Sequence, residues 1–281
     1  MLTTLGVVRT ATKMRIARVI AWVLLARQRP TRRVSRRGIS WKLDLREAID
    51  LSIYLTGRFQ RSVIRELTRI ARADGVIIDI GANRGAIVLP LADLLRNHKF
   101  VAIEPVPDLV DVLYSALRDN PSLAERVTVV RRFLNSENQQ VPPQVDASWN
   151  VFSDTLYEKV SPASQIGIGD TQASTLDQLV QEQSISAIAA IKVDVEGYEP
   201  GVLLGASETL RRFSPPILME WQPPLQRLRG FTPEEFAEVL SDFGYFPQLV
   251  KRFRKSKPIS WNELLEKYSE SYCEVVLQRQ T

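Results

Sequence analysis

The chain has 281 residues, 44% hydrophobic and 25% charged, which is ordinary for a globular protein and enough for one large domain. One cysteine, Cys273, excludes an internal disulfide framework and multi-cysteine metal sites, and one histidine, His98, excludes His-rich zinc centres. The net charge of +5 is uneven: residues 1–43 hold eleven basic side chains and no acid, and the rest carries 26 basic against 32 acidic residues, so the main domain lacks the spread basic surface of a nucleic-acid-binding fold.

Residues 1–37 read as a basic arm outside the main domain, which is expected over 38–281. Within the arm, "VIAWVLLA" is an apolar run between Arg18 and Arg27, too short to span a bilayer. Its basic flanks and Trp22 suit a helix lying on an anionic membrane surface; a helix packed on the domain and a signal or anchor segment are the alternatives. "ISWKLDL" alternates as a strand, and two helical stretches follow, the second carrying Val63, Ile64, Leu67 and Ile70 at helical spacing. "VIIDIG" and "KFVAIEP" then read as buried parallel strands, each followed by a helix, and "RVTVVRRFL" as the next strand. The polar stretch 135–172 breaks this rhythm and reads as an insert or active-site cover, with Trp149, Phe152 and Tyr157 as aromatic residues available to an acceptor or to packing.

The alternation resumes with "STLDQLVQEQ", a helix capped by Ser174 or Thr175, then the strand "IAAIKVDVEG", the helical "EPGVLLGASETLRRF" and the strand "PPILMEW". A helix opened by Thr232, with Glu235 at the capping-box position, leads to the last two strands, expected to be antiparallel to each other. The pattern predicts an α/β, doubly wound, mostly parallel seven-stranded sheet, Rossmann-like, with an antiparallel last strand.

Two motifs carry chemistry. In "DIGANRG", Asp79 ends a strand and Gly81 and Gly85 sit in the turn before a helix, where this fold places its ligands. Asn83 occupies a position that the dinucleotide pattern gives to glycine, and an acid in the turn repels a pyrophosphate but suits a sulfonium or ammonium group, which favours S-adenosylmethionine over NAD. Glu104, ending the next strand, is placed to accept hydrogen bonds from ribose hydroxyls. In "IKVDVEGYE", Lys192, Asp194 and Glu196 alternate against Ile191, Val193 and Val195 on a strand whose two faces should both be apolar. Buried charges must pair with each other, cofactor or substrate. Asp194 is therefore expected at the methyl-transfer centre, against cofactor and acceptor, as orienter or base of an acceptor hydroxyl. Lys192 would tune its charge, and Gly197 would let the backbone approach the donor. Glu196 and Glu199 would meet the acceptor, and so would Glu220 at the end of its strand. An ion pair of Lys192 with Asp194 or Glu196 that only stabilises the strand end is the alternative.

These motifs together resemble the FkbM-type S-adenosylmethionine-dependent methyltransferases, from "ISWKLDLREAIDLSIYLTGRF" through "IIDIGANRG", "VAIEP" and "STLDQL" to "IKVDVEGYEPGVLLGA" and "PPILMEW", over roughly residues 39–277. The resemblance implies a class I methyltransferase fold, S-adenosylmethionine as cofactor, and O-methylation of a hydroxyl on a sugar, glycan or small metabolite. It assigns Asp79, Gly81, Ala82, Asn83 and Gly85 to the methionine end and Glu104 to the ribose. "FLNSEN" departs from the Leu-Ser-Asp-like turn usual near the adenine, with Asn135 where that turn begins. No resident metal, no nucleic-acid partner and a cytoplasmic location, with peripheral contact to anionic membrane through residues 1–37, complete the expectation. A non-catalytic cofactor-fold protein tethered by its arm, and an RNA methyltransferase, are the competing classes.

Overall fold

Runs rich in β-branched residues form the centre of the molecule, and amphipathic helices cover them on both sides. A computed structural model describes residues 18–26, 29–137, 140–148, 151–152, 164–251 and 256–279. Helix α1 (residues 18–25) precedes the hairpin of β1 (Thr31–Arg36) and β2 (Ile39–Asp44), then helices α2 (Ala48–Thr56) and α3 (Arg61–Ile70). There follow β3 (Val76–Ile80), α4 (Val88–Leu94), β4 (Lys99–Ile103), α5 (Pro107–Arg118), α6 (Pro121–Ala124) and β5 (Val127–Val130). The insert holds β6 (Phe133–Leu134), the hairpin β7 (Gln144–Ser148) and β8 (Ser164–Gly167), and β9 (Ala173–Ser174), which pairs in parallel with β6. The chain continues through α7 (Leu176–Glu182), β10 (Ile188–Val193), α8 (Glu199–Leu204), α9 (Ser207–Phe213) and β11 (Ile217–Trp221). It ends with α10 (Pro223–Leu228), α11 (Pro233–Asp242), β12 (Tyr245–Leu249), β13 (Lys257–Pro258), α12 (Trp261–Tyr268) and β14 (Cys273–Arg279).

The main sheet runs β13-β12-β14-β11-β10-β3-β4-β5. Strands β11, β10, β3, β4 and β5 are mutually parallel, and β14 is antiparallel to both β11 and β12. This is the doubly wound sheet the sequence predicts, with one addition: the two-residue β13 pairs with β12 and makes an eighth, edge strand. The order reverses between β3 and β10, so the crevice at their carboxyl ends is the fold's ligand position.

All six residues of β10 are buried, as a strand covered on both faces requires. On one face Ile77, Phe100, Ala190, Leu218 and Val276 join Val63, Ile64 and Leu67 of α3 and Leu89 and Leu91 of α4. On the other, Ile78, Ile191, Ile217 and Val275 join Leu176 and Leu179 of α7, Leu210 of α9 and Phe236 of α11. Thr175 caps α7 in a full capping box with Gln178, whereas the box expected of Thr232 and Glu235 at α11 does not form; Thr232 makes no side-chain cap.

The expected arm is partly structured against the domain. The boundary after residue 37 falls inside the β1–β2 hairpin, whose two-residue turn, Arg37 (φ 53°) and Gly38 (φ 82°), has both residues left-handed, the geometry that matches strand twist. Of α1, Ala21 is fully buried and Leu24 and Leu25 pack against the core. Among the described residues no helix is long and apolar enough to cross a membrane. Trp149 and Tyr157 lie outside the described residues.

Candidate active site

The turn after β3 is held by backbone. Gly81 and Ala82 both donate their N–H to the Ile103 carbonyl at 3.0 Å, which pins the turn to the end of β4. Gly81 (φ +76°) is required by packing inside the protein: a Cβ there would lie 1.9 Å from the Asp194 carbonyl oxygen. At Gly85 (φ +84°) a Cβ would meet Leu113 at 2.6 Å. The glycines thus let β10 and α5 close on the turn, a purpose the sequence reading had given to ligand approach. Asn83, left-handed at φ 50°, donates its backbone N–H to Glu104 Oε2 at 2.8 Å, and Val106 N–H reaches Glu104 Oε1 at 3.0 Å. Burial pushes the Glu104 carboxyl up to about 7, against those two N–H groups.

The register places Lys192 of β10 directly beside Asp79 of β3. Lys192 Nζ donates to the carbonyls of Gly81 (2.8 Å) and Ile80 (3.3 Å) and lies 3.2 Å from Asp79 Oδ1 and 3.7 Å from Asp194 Oδ2. Lys192 and Asp79 are almost wholly buried, while the Asp194 side chain is 27% exposed. Burial works against the Lys192 ammonium, yet Asp79 and Asp194 outweigh it and hold its pKa above the ordinary lysine value. Burial raises Asp79 despite Lys192. Beyond the Lys192 ion pair and a weak backbone contact from Val88, the Asp79 oxygens have no hydrogen-bond donor. Buried lone pairs left without a donor need an explanation, and those of Asp79 and Glu104 suit a ligand that brings N–H, hydroxyl or cationic groups. The cluster is thus organised around Lys192, which takes Asp79 as a partner in addition to the expected Asp194.

Beyond Val193 the strand ends, earlier than the alternation implied. Glu196 turns left-handed (φ 53°), so its side chain does not continue the Lys192–Asp194 face, and its carbonyl accepts from Arg229 Nε at 3.4 Å. Gly197 follows at φ +95°, and a Cβ there would lie 2.8 Å from the backbone and Cβ of Leu225, so its space goes to α10. Glu199, expected at the acceptor, is fully buried. Its Oε1 accepts from Val195 N–H (3.0 Å) and Gly197 N–H (3.3 Å), clamping the turn, while Oε2 has no partner. Burial pushes its carboxyl up to about 7. Glu220 faces Glu274 across the β11–β14 ladder. Burial, then the charges of Asp194, Glu196, Glu199 and Glu274, push it well above the carboxylate range.

Two ion pairs at this rim have no counterpart in the sequence reading. Arg84, in the glycine turn, pairs with the buried Asp50 of α2. Arg229, after α10, pairs with buried Asp146 of the β7–β8 hairpin at 2.6 Å and lies 5.0 Å over the Tyr198 ring. Tyr198 meets Phe133 edge-on at 5.2 Å. The insert is thereby joined to the turn that follows Asp194. Asn135 is buried, its Oδ1 accepting from Ser136 N–H and filling the space beside Gly201.

A family model described as the methyltransferase FkbM domain matches residues 79–247, which span both motifs. No curated protein matches the chain. Among solved structures, the methyltransferase FkbM of Methylobacillus flagellatus KT is 16% identical, covering 81% of this chain and 52% of its own, with a TM-score of 0.44. The precorrin-6y C5,15-methyltransferase of Geobacter metallireducens GS-15 is 13% identical over 78% of this chain and 87% of its own, TM-score 0.42. TYW2 of M. jannaschii, solved in complex with AdoMet, is 14% identical over 90% and 88%, TM-score 0.37.

Proposed function

Because the chain belongs to the FkbM methyltransferase family, whose methyl donor is S-adenosylmethionine, we propose that it methylates a hydroxyl of a sugar, glycan or small metabolite. Bound S-adenosylmethionine supplies an electrophilic methyl group on a sulfonium. Asp79, Gly81, Ala82, Asn83 and Gly85 would hold its methionine end, and Glu104, fixed by the N–H groups of Asn83 and Val106, its ribose.

Asp194 carries this reading. It is the exposed member of an otherwise buried charge cluster, at the carboxyl end of β10, with its backbone against Gly81. Its carboxylate can accept a hydrogen bond from an acceptor hydroxyl, orient the oxygen and take the proton. Lys192 cannot swing away, because two backbone carbonyls and Asp79 fix it; it therefore holds the Asp194 carboxylate in place. Orientation of this kind contributes about 7–11 kcal/mol in favourable systems, and a positioned base about 10²–10⁴-fold. The rim after β10, with the insert hairpin tied to it, would shape the acceptor pocket. The net acidity of residues 44–281 favours a metabolite or glycan over RNA.

The test is turnover of S-adenosylmethionine against pools of glycans, small metabolites and RNA, with the position of the new methyl group read by NMR. Asp194→Asn should keep fold and donor affinity yet lower turnover at least about a hundredfold. Unchanged turnover with a lower melting temperature would make the cluster structural. Methyl incorporation into RNA alone would replace the hydroxyl-metabolite reading, and donor binding with no turnover on any pool would favour a non-catalytic protein.

A further inference from the structure

We infer that the outer face of α1 and the arginines of the β1–β2 and α2–α3 turns form one surface that docks on an anionic phospholipid bilayer. The docked pose of α1 decides which side chains face out. Ala21 is fully buried, Leu24 and Leu25 pack on the core, the Arg18 guanidinium donates to the Val151 carbonyl at 3.0 Å, and Arg32 donates to the Leu24 carbonyl at 2.8 Å. With 3.6 residues per turn, positions i, i+3 and i+4 share a face. Val19, Trp22 and Val23 have that spacing and are 62%, 67% and 60% exposed. Three large apolar side chains on one turn of helix are held in water by the packing of its other side.

Guanidinium groups adjoin this helix through Arg32, which reaches both α1 and α2. Arg32 and Arg36 both lie over the Tyr54 ring, at 5.2 and 4.9 Å, and donate to the Tyr54 hydroxyl and carbonyl. Arg37 packs its side chain beside Gly57, with Cγ 3.4 Å from where a Cβ would stand. Arg61 donates to the Thr56 carbonyl at 2.9 Å, so with Arg37 beside Gly57 guanidinium groups gather at the end of α2; burial, then Arg37 and Arg61, lower the pKa of Arg58, against Asp93. The carboxyl end of a helix attracts cations, which accounts for one or two of them. Residues 1–43 contribute no acid of their own, and the offsetting acids are Asp93 near Arg58 and Asp119 on Arg33.

An indole with aliphatic neighbours, rimmed by guanidinium groups, matches the headgroup region of an anionic bilayer: the ring sits at the interface and the guanidinium groups meet phosphates. RNA would match the charge and leave the valines unused.

Co-sedimentation of the full chain with phosphatidylcholine vesicles, with and without phosphatidylglycerol, tests this. Each basic group near an anionic surface adds about 1 kcal/mol, so three should favour the anionic vesicles by about a hundredfold, and added salt should release the protein. Val19→Ser/Trp22→Ser/Val23→Ser and Arg58→Gln/Arg61→Gln, altering residues outside the core, should each lower partitioning several-fold while S-adenosylhomocysteine affinity stays constant. Equal partitioning onto both vesicle types, salt-insensitive binding by the unaltered chain, undiminished binding of the triple variant, or binding to an RNA oligomer in place of vesicles would each overturn the inference.

Discussion

Replacing Glu199 by glutamine should be destabilising in acid and stabilising above neutral pH. The side chain is fully buried, two N–H groups meet Oε1, and Oε2 has no partner. Its pKa rises from 4.5 to about 7 on folding because burial disfavours the charge. The folded state therefore keeps a proton that the unfolded chain releases. The contribution is fully present below the unfolded value and is lost as pH climbs through the folded one. That rise is worth roughly 3 kcal/mol of penalty once the group is ionised in both states. Glutamine removes the penalty but puts an NH₂ where Oε2 stands unpartnered, at a cost of about 1 kcal/mol relative to the protonated acid. The variant should be about 1 kcal/mol less stable than the parent near pH 3.5, below the unfolded value, and about 2 kcal/mol more stable near pH 8. Urea unfolding followed by circular dichroism at both pH values measures this. A difference between the two proteins that does not change with pH would refute the reasoning.

Glu104→Ala should weaken S-adenosylmethionine binding by roughly 1–3 kcal/mol in calorimetry, with no NAD binding in either protein. Gly81→Ala forces a Cβ against the Asp194 carbonyl at a φ of +76°; strain of about 1–3 kcal/mol before any clash should lower the melting temperature and donor affinity together. Asp146→Ala leaves Arg229, with a side chain 14% exposed, without its carboxylate; a loss of about 3–5 kcal/mol is expected in denaturant titration, and replacing both residues by an apolar pair should recover most of it.

The central sheet was legible because parallel strands covered on both sides must be largely apolar, and β3, β4, β10 and β11 read that way apart from Asp79, Lys99, Lys192 and Glu220. β1 was not, because "TRRVSR" is basic on the side it leaves half-open and offers little apolar pattern; its signal is the Arg37–Gly38 turn. The strand ending at Val193 looked longer because alternation continues in the letters through Glu196, whereas the left-handed residue there ends it in space. The motifs marked Asp79, Glu104 and Asp194 individually. Their joint arrangement around Lys192 depends on the β3–β10 register, which no local spacing encodes. The same holds for Arg84 with Asp50 and Arg229 with Asp146, 34 and 83 residues apart. The burial of His98, with Nε2 2.8 Å from the Arg72 carbonyl, likewise rests on a contact distant in sequence.

The bond between Arg229 and Asp146 has a bearing on transplantation. The β7–β8 hairpin looks like a cassette that could be exchanged between relatives to change what is methylated. Its anchor, however, lies outside the cassette, on the residue after α10 that also holds the Glu196 carbonyl and covers Tyr198. A grafted hairpin without an acid at position 146 would strand that guanidinium and loosen the turn next to Asp194. The unit that can be swapped is therefore split in sequence: residues 135–172 must travel with the stretch from Glu196 to Arg229.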